Sequence, residues 1–297
     1  MSPRLFGPEI EPRLDWLSLT DALAAGHARQ PGETRDVVLR RGADTMLSRA
    51  AWIDGLGGLV KTATVFPANR DAPTINGAAC LFSDADGTLE AIVDFHLLTR
   101  WKTAGDSLLA ARRLAPPQVR RILLVGAGNV AASLRAAYAA AFPEAVFSVW
   151  ARGEDKARVF AAAHGCEPEA DLPAAMGRAD VIACATMATE PVIRGAWLRP
   201  GQHLDLIGAY RADMREADDD ALRRARLFVD SRATTMEHIG ELMDPLARGV
   251  IAPGDVLADF SELDRFTRAP DDVTLFKNGG GAHLDLMTAR WMLERAG

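Results

Sequence analysis

Cysteine is scarce in this 297-residue chain: Cys80, Cys166 and Cys184 are widely spaced and odd in number. That excludes a disulfide framework, and the lack of any CxxC pair excludes the common thiolate metal motifs. Cys184 lies in an apolar run, where it reads as a small buried hydrophobe. His203, His238 and His283 have no ligand spacing, so no metal is expected. An excess of basic residues is missing as well. The 34 Lys and Arg are outnumbered by 40 Asp and Glu, for a formal net charge of −6. That excludes the broad basic footprint of a nucleic-acid binder, though not one local basic pocket for a small anion. No apolar run approaches membrane-spanning length, and the first residues lack the apolar core of a signal peptide. The expectation is a soluble cytoplasmic protein. Internal repeats and low-complexity segments are absent too.

What is present is material for a large core. The chain is 48% hydrophobic and 25% charged, and its length favours two domains over one. Residues 35–101 read as strands interrupted by turns, with β-prone runs at 37–39 and 59–66. Asp84-Ala85-Asp86-Gly87 carries turn chemistry between runs at 79–82 and 89–95, as in a hairpin. Residues 97–114 read as a helix ended by Pro116-Pro117, which marks a domain boundary. After it the pattern changes to strand–helix alternation, with apolar runs at 122–125, 146–150, 181–185, 204–208, 227–229 and 273–276. Runs of this kind suit strands buried on both faces, so an α/β fold with a doubly wound parallel sheet is expected. The expected domains are residues 1–114 and 115–281, with a last helix, 282–297, packing back on the first.

Gly126-Ala127-Gly128-Asn129-Val130-Ala131 follows the first of these runs and opens an alanine-rich helix. It fits the G-x-G-x-x-G/A fingerprint of a Rossmann dinucleotide site. The first glycine permits the tight turn, the second lets the backbone approach a pyrophosphate, and the small third residue lets helix and sheet pack closely. The helix N-terminus then faces the phosphates. The end of the next strand selects the cofactor. An NAD site places an acid there for the ribose hydroxyls, whereas this chain has Ala151-Arg152-Gly153. Arg152 can pair with a 2′-phosphate, which favours NADPH, with NADH as the other candidate. Asp218-Asp219-Asp220 followed by Arg223, Arg224 and Arg226 resembles a ligand cluster but reads as charge complementing a helix dipole.

Several stretches, in order, resemble the ornithine cyclodeaminase/mu-crystallin family. They are Gly58-Leu59-Val60-Lys61-Thr62, Phe66-Pro67-Ala68-Asn69, Pro73-Thr74-Ile75-Asn76-Gly77, Thr99-Arg100-Trp101-Lys102-Thr103-Ala104 and Ala185-Thr186-Met187-Ala188-Thr189-Glu190-Pro191. The run from Pro200 to Ala209, Asp213-Met214-Arg215-Glu216, Val229-Asp230-Ser231, Gly240-Glu241-Leu242 and Phe276-Lys277 complete the set. The resemblance implies a homodimer whose N-terminal α+β domain supplies the subunit interface and the substrate site, joined to a Rossmann domain. It implies ornithine cyclisation, alanine dehydrogenation or reduction of cyclic ketimines, or a crystallin-like NADPH-binding protein without catalysis.

The resemblance also assigns roles. Lys61 matches the family's active-site lysine, which binds the substrate carboxylate or exchanges a proton. Lys102 stands where many members have a carboxylate-binding arginine; lysine keeps the charge but loses the bidentate fork. Thr103 falls near the cofactor phosphates. Arg35 matches an upstream carboxylate-binding arginine, with Arg40, Arg41 and Arg49 as competitors. Thr186 and Ala188 fall on the nicotinamide side, Gly208 is cofactor-binding, and Lys277 is cofactor-adjacent. Ornithine cyclodeaminases have an aspartate for the distal amine where this chain has Tyr210. Its absence points to the ketimine-reducing branch: NADPH-dependent reduction of Δ1-pyrroline-2-carboxylate or Δ1-piperideine-2-carboxylate to proline or pipecolate.

Overall fold

The computed structural model describes residues 2–296. The chain forms two compact units, one comprising residues up to Lys102 and from Gly281 on, the other Thr103–Gly280. The first contains β1 (Arg4–Phe6), α1 (Trp16–His27), β2 (Glu33–Arg41), β3 (Asp44–Ile53), β4 (Gly57–Val65), β5 (Ile75–Phe82) and β6 (Leu89–Asp94). Then α2 (Phe95–Leu114) runs unbroken from the first unit into the second. It ends before the proline pair, as a missing amide donor requires, while the division between the units falls inside the helix.

The strands of the first unit form one sheet in the order β1-β6-β5-β4-β3-β2. Neighbours are antiparallel except β1, which is parallel to β6. Gly42 and Gly55, with φ of 59° and 78°, turn the chain between β2, β3 and β4, and Gly87, with φ of 71°, closes the hairpin of β5 and β6. Alternation along β4 gives the sheet two unlike faces. Leu59, Lys61 and Ala63 are buried on one. On the other, Val60 is exposed, together with Val37 and Leu39 of β2 and Met46 and Trp52 of β3. β2 is the sheet edge and is exposed along its whole length.

The second unit alternates regularly: β7 (Arg121–Val125), α3 (Asn129–Ala141), β8 (Val146–Trp150), α4 (Glu154–His164), β9 (Glu167–Pro168), α5 (Leu172–Arg178), β10 (Val181–Cys184), β11 (His203–Leu206), α6 (Asp219–Arg224), β12 (Arg226–Val229), α7 (Arg232–His238), α8 (Gly240–Ala247), β13 (Val256–Ala258) and β14 (Thr274–Lys277). The strands lie in the order β13-β12-β14-β11-β10-β7-β8-β9, and every pair is parallel. β10, β11 and β14 are buried at every residue, as sheet strands covered on both faces must be. Strand order reverses beside β7, and the crevice at that switch point is where such sheets bind ligands. Asp218 caps α6 by accepting from Ala221 N at 2.9 Å. Asp219 is paired with Arg215 and Arg248, at 2.9 and 2.7 Å, so the acidic run is used by the fold.

The chain returns to the first unit with α9 (Ala282–Ala296), which packs on β3, β4 and α1. Trp291 is its large buried residue, and Trp101 stacks on Trp16 with ring centroids 3.8 Å apart. Expected residue 297 lies outside the described residues.

Candidate functional site

In the second unit the C-terminal ends of β7, β8 and β10 open onto a cleft of about 550 Å³. Its lining includes Gly126, Ala127, Gly128, Arg152, Thr186 and Ala188. Gly126 has φ of 117°, and a Cβ there would stand 2.5 Å from Ala185 O, so both conformation and space demand glycine. Gly128 is different. A Cβ there would meet nothing within 4 Å, so the missing side chain leaves open room at the start of α3. Gly128 is also the N-cap and provides no side-chain acceptor, which leaves the first amide donors of the helix for an external anion. A pyrophosphate fits this arrangement. Asn129 lines a neighbouring cleft, and Val130 is partly exposed on the first turn.

Beyond β8 the charges are sorted. Arg158 takes both acids at the start of α4, at 3.4 Å from Glu154 and 2.6 Å from Asp155. Arg152 and Lys156 make no ion pair among the described residues, and both line the cleft. Lys156 escaped the sequence reading. A signal for it existed: the chain has four lysines against thirty arginines, and Lys156 lies four residues beyond Arg152.

The opposite wall depends on a carboxylate. Glu216 Oε1 accepts from Thr186 N at 2.7 Å and from Thr186 Oγ1 at 3.0 Å. Its Oε2 accepts from Gly208 N at 2.6 Å and Ala209 N at 3.3 Å. One side chain thus binds the loops that follow β10 and β11. Glu241 in turn accepts from Glu216 N and Ala217 N, at 2.6 and 2.9 Å. Burial, reinforced by the Glu216 charge, pushes the Glu241 carboxyl up to about 7. Gly208 is where the loops approach most closely, since a Cβ there would lie 1.9 Å from Thr186 O.

Lys277 is wholly buried, and its ammonium donates to the carbonyls of Leu206 and Asn278, at 3.0 and 2.8 Å. It holds strand ends together and does not line the cleft. Thr103 is placed by Asn278 Nδ2, which donates to its carbonyl at 3.1 Å. Tyr210 is exposed and has Arg211 over its ring, while Asp213 is paired with Arg211 at 2.8 Å.

In the first unit, Lys61 and Lys102 are both buried. Lys61 Nζ donates to Asp285 Oδ1 at 2.8 Å and sits 4.8 Å from the centroid of the Phe95 ring. Burial pulls the Lys61 ammonium below its ordinary range, and the charges of Lys102 and Arg49 act the same way, while Asp285 opposes them. Burial works against charging Asp285, but Lys61 and Lys102 overcome it and hold the carboxyl below its usual range. Lys102 makes no hydrogen bond or ion pair among the described residues. Two buried cations therefore share one buried anion.

Arg35 is not brought to this cluster. It pairs with exposed Glu33 at 3.1 Å and, by register, lies opposite Ala50, whereas Lys61 lies opposite Arg49. Arg49, its competitor, shares the face of Lys61 and pairs with Asp36 at 2.7 Å. Asp285 was missed by the sequence reading because an acid in a helix's first turn reads as a dipole complement.

The family is now decided by comparison: the model of the ornithine cyclodeaminase/mu-crystallin family matches residues 39–297. The chain belongs to this family. It is 52% identical over 293 residues to the Delta(1)-pyrroline-2-carboxylate reductase of Paracoccus denitrificans, covering 94% of this chain and 92% of that one. It is 31% identical over 230 residues to the ketimine reductase mu-crystallin of Mus musculus, covering 76% and 71%. The structure of the Thermococcus litoralis Delta(1)-pyrroline-2-carboxylate reductase in complex with NADH and L-proline superposes with a TM-score of 0.89. That match has 22% identity and covers 99% of this chain and 97% of that one, so it shows the shared fold.

The contact of Gly208 with Thr186 gives a direct test of the cleft. Gly208→Ala should lower dinucleotide affinity roughly tenfold or more, because a buried clash of this size costs about 1–3 kcal/mol. Titration by nicotinamide fluorescence measures it, and wild-type affinity would show that the loops tolerate separation.

Proposed function

We propose that the protein is an NADPH-dependent reductase of cyclic imino carboxylates, converting Δ1-pyrroline-2-carboxylate or Δ1-piperideine-2-carboxylate to proline or pipecolate. The observation that carries this reading is Lys102, a buried residue whose ammonium has no partner among the described residues. A buried cation left unpaired is costly unless a ligand anion completes it, and the substrate carboxylate is that anion. The names of the Paracoccus and mouse relatives, both reductases of C=N bonds, support the choice of reaction.

Reduction adds a hydride to the imine carbon and a proton to the imine nitrogen. A bound nicotinamide dinucleotide supplies the hydride. Lys102 holds the carboxylate, and so fixes the neighbouring carbon, which is where orientation lowers the barrier. Lys61 holds a proton at Nζ within the same cluster and serves as donor to the nitrogen or as a second carboxylate ligand. Tyr210 supplies no carboxylate for a distal ammonium, which argues against cyclodeamination of ornithine.

The wild-type protein should oxidise NADPH rapidly with Δ1-pyrroline-2-carboxylate or its six-membered homologue, and much more slowly with pyruvate plus ammonium. The reverse order would make it an alanine dehydrogenase. Lys102→Ala should reduce kcat/KM about ten- to a hundredfold, the equivalent of one charge-assisted hydrogen bond, chiefly through KM. An unchanged KM would remove Lys102 from carboxylate binding.

The preference for NADPH rests on Arg152 and Lys156, two unpaired cations on the cleft beside acids already taken by Arg158. Both can reach for a 2′-phosphate, and a charge-assisted pair to phosphate is strong. Arg152→Ala should weaken NADPH binding roughly tenfold or more and leave NADH binding nearly unchanged. Equal losses for both dinucleotides would refute the assignment.

A homodimer is part of the same reading. The sheet face carrying Val37, Leu39, Met46, Trp52 and Val60 is apolar and exposed, and the edge strand β2 is uncovered. Monomers rarely leave such a patch open, and a long free edge invites pairing. Arg35 lies on this face, so it belongs to the proposed interface. Sedimentation should report a dimer, and replacing Leu39 and Trp52 by Asp should give monomers; a monomeric wild type would refute it. Three free thiols are in keeping with a reducing, cytoplasmic compartment.

A further inference from the structure

Three buried carboxylates of this chain are held by backbone amides. Glu216 accepts backbone donors from Thr186, Gly208 and Ala209, and Glu241 accepts them from Glu216 and Ala217. Asp230 accepts from Ser231 and Gly279. Each ties a loop to an element, and the backbone amides repay its burial. Asp285 does none of this. It is wholly buried in the first turn of α9, and its Oδ2 has no hydrogen-bond partner among the described residues. Its Oδ1 takes Lys61 Nζ at 2.8 Å. A buried ion pair often adds nothing over apolar residues of like size, so stability alone does not explain why Asp285 is there. Its value must lie in what it does to Lys61.

The surroundings of Lys61 define that effect. Lys102 faces it from α2 and Arg49 from β3, and both repel its charge. The Phe95 ring lies beside it, and Arg49 is itself engaged by Asp36 from β2. Asp285, from α9, is the anion that acts on Lys61 directly. We propose that Asp285 is a positioning residue for the reduction: it fixes the Lys61 ammonium in place and keeps it charged beside Lys102. The cluster then carries one net positive charge when empty and becomes neutral when a single substrate carboxylate enters. A substrate with one carboxylate is matched, and a dicarboxylate would leave an uncompensated negative charge. This assignment rests on the reductase reading for its catalytic consequence, but not for the pairing itself.

The test is Asp285→Asn, which keeps size and removes charge. Without the carboxylate, burial and two neighbouring cations push Lys61 toward the neutral amine. The basic limb of the kcat/KM profile should therefore move down by about one pH unit or more, with kcat falling more than KM rises. Asp285→Glu, which keeps the charge, should return the limb toward its wild-type position. A second readout needs no turnover. With four lysines in the chain, NMR of lysine labelled at Cε and Nζ can follow Lys61, assigned by loss of its signal in Lys61→Met. The Lys61 titration should shift downward in Asp285→Asn. Thermal stability should fall while the fold is retained, because Lys61 loses the anion that compensates its burial.

An unmoved pH limb together with an unmoved Lys61 titration would overturn the proposal. So would unfolding of the Asp285→Asn protein, which would make the carboxylate structural. If the wild type fails to reduce ketimines while the Lys61 titration still shifts, the reductase reading falls and the Lys61–Asp285 assignment stands.

Discussion

The Glu216 carboxylate is the constraint on which the nucleotide half of the molecule depends. β10 and β11 run side by side and end together, and their following loops have no ladder to hold them. Four hydrogen bonds to one side chain replace that ladder. Because Gly208 carries no Cβ, the loops can close to a distance no other residue would permit. This wall of the cleft is therefore held by a side chain outside the sheet. Glu241 supports it from α8, so the arrangement is two carboxylates deep before it reaches ordinary core.

The other unit solves an opposite problem. There the chain buries charge, Lys61 against Asp285, under a sheet face that also carries Leu59, Ala63, Ala79 and Leu81. Burial places Lys61 and Asp285 in low dielectric, where their attraction is strengthened. The same sheet presents apolar side chains to solvent on its far side, so both of its faces depart from what an isolated soluble domain would show.

Legibility in the sequence followed burial. β7, β8, β10 and β14 were readable because each is an apolar run between turn residues, and Gly126 to Ala131 was readable because it sits where one such run meets a helix. β3 was passed over, since Asp44, Ser48 and Arg49 interrupt its pattern, and α1 lies in a stretch with no distinctive period. Lys61, Lys102 and Thr103 came only from resemblance. Nothing in their local spacing distinguishes an active lysine from one on a surface. Arg35 and Arg49 differ by which face of a sheet they occupy, which depends on register and not on local sequence. Asp285 could not be read at all from its neighbourhood, because its meaning lies in Lys61, 224 positions away.

The chain's use of arginine nearly everywhere has a chemical consequence. Of the four lysines, Lys61, Lys102 and Lys277 are buried, and Lys156 is exposed. Guanidinium groups do not react with acylating reagents under mild conditions, whereas a free amine does. An amine-directed electrophile therefore meets a single lysine on the folded surface, and that lysine stands on the dinucleotide cleft. Acylation of a surface lysine of this protein is a modification of its dinucleotide cleft, and occupancy of the cleft can be read from the protection of one side chain.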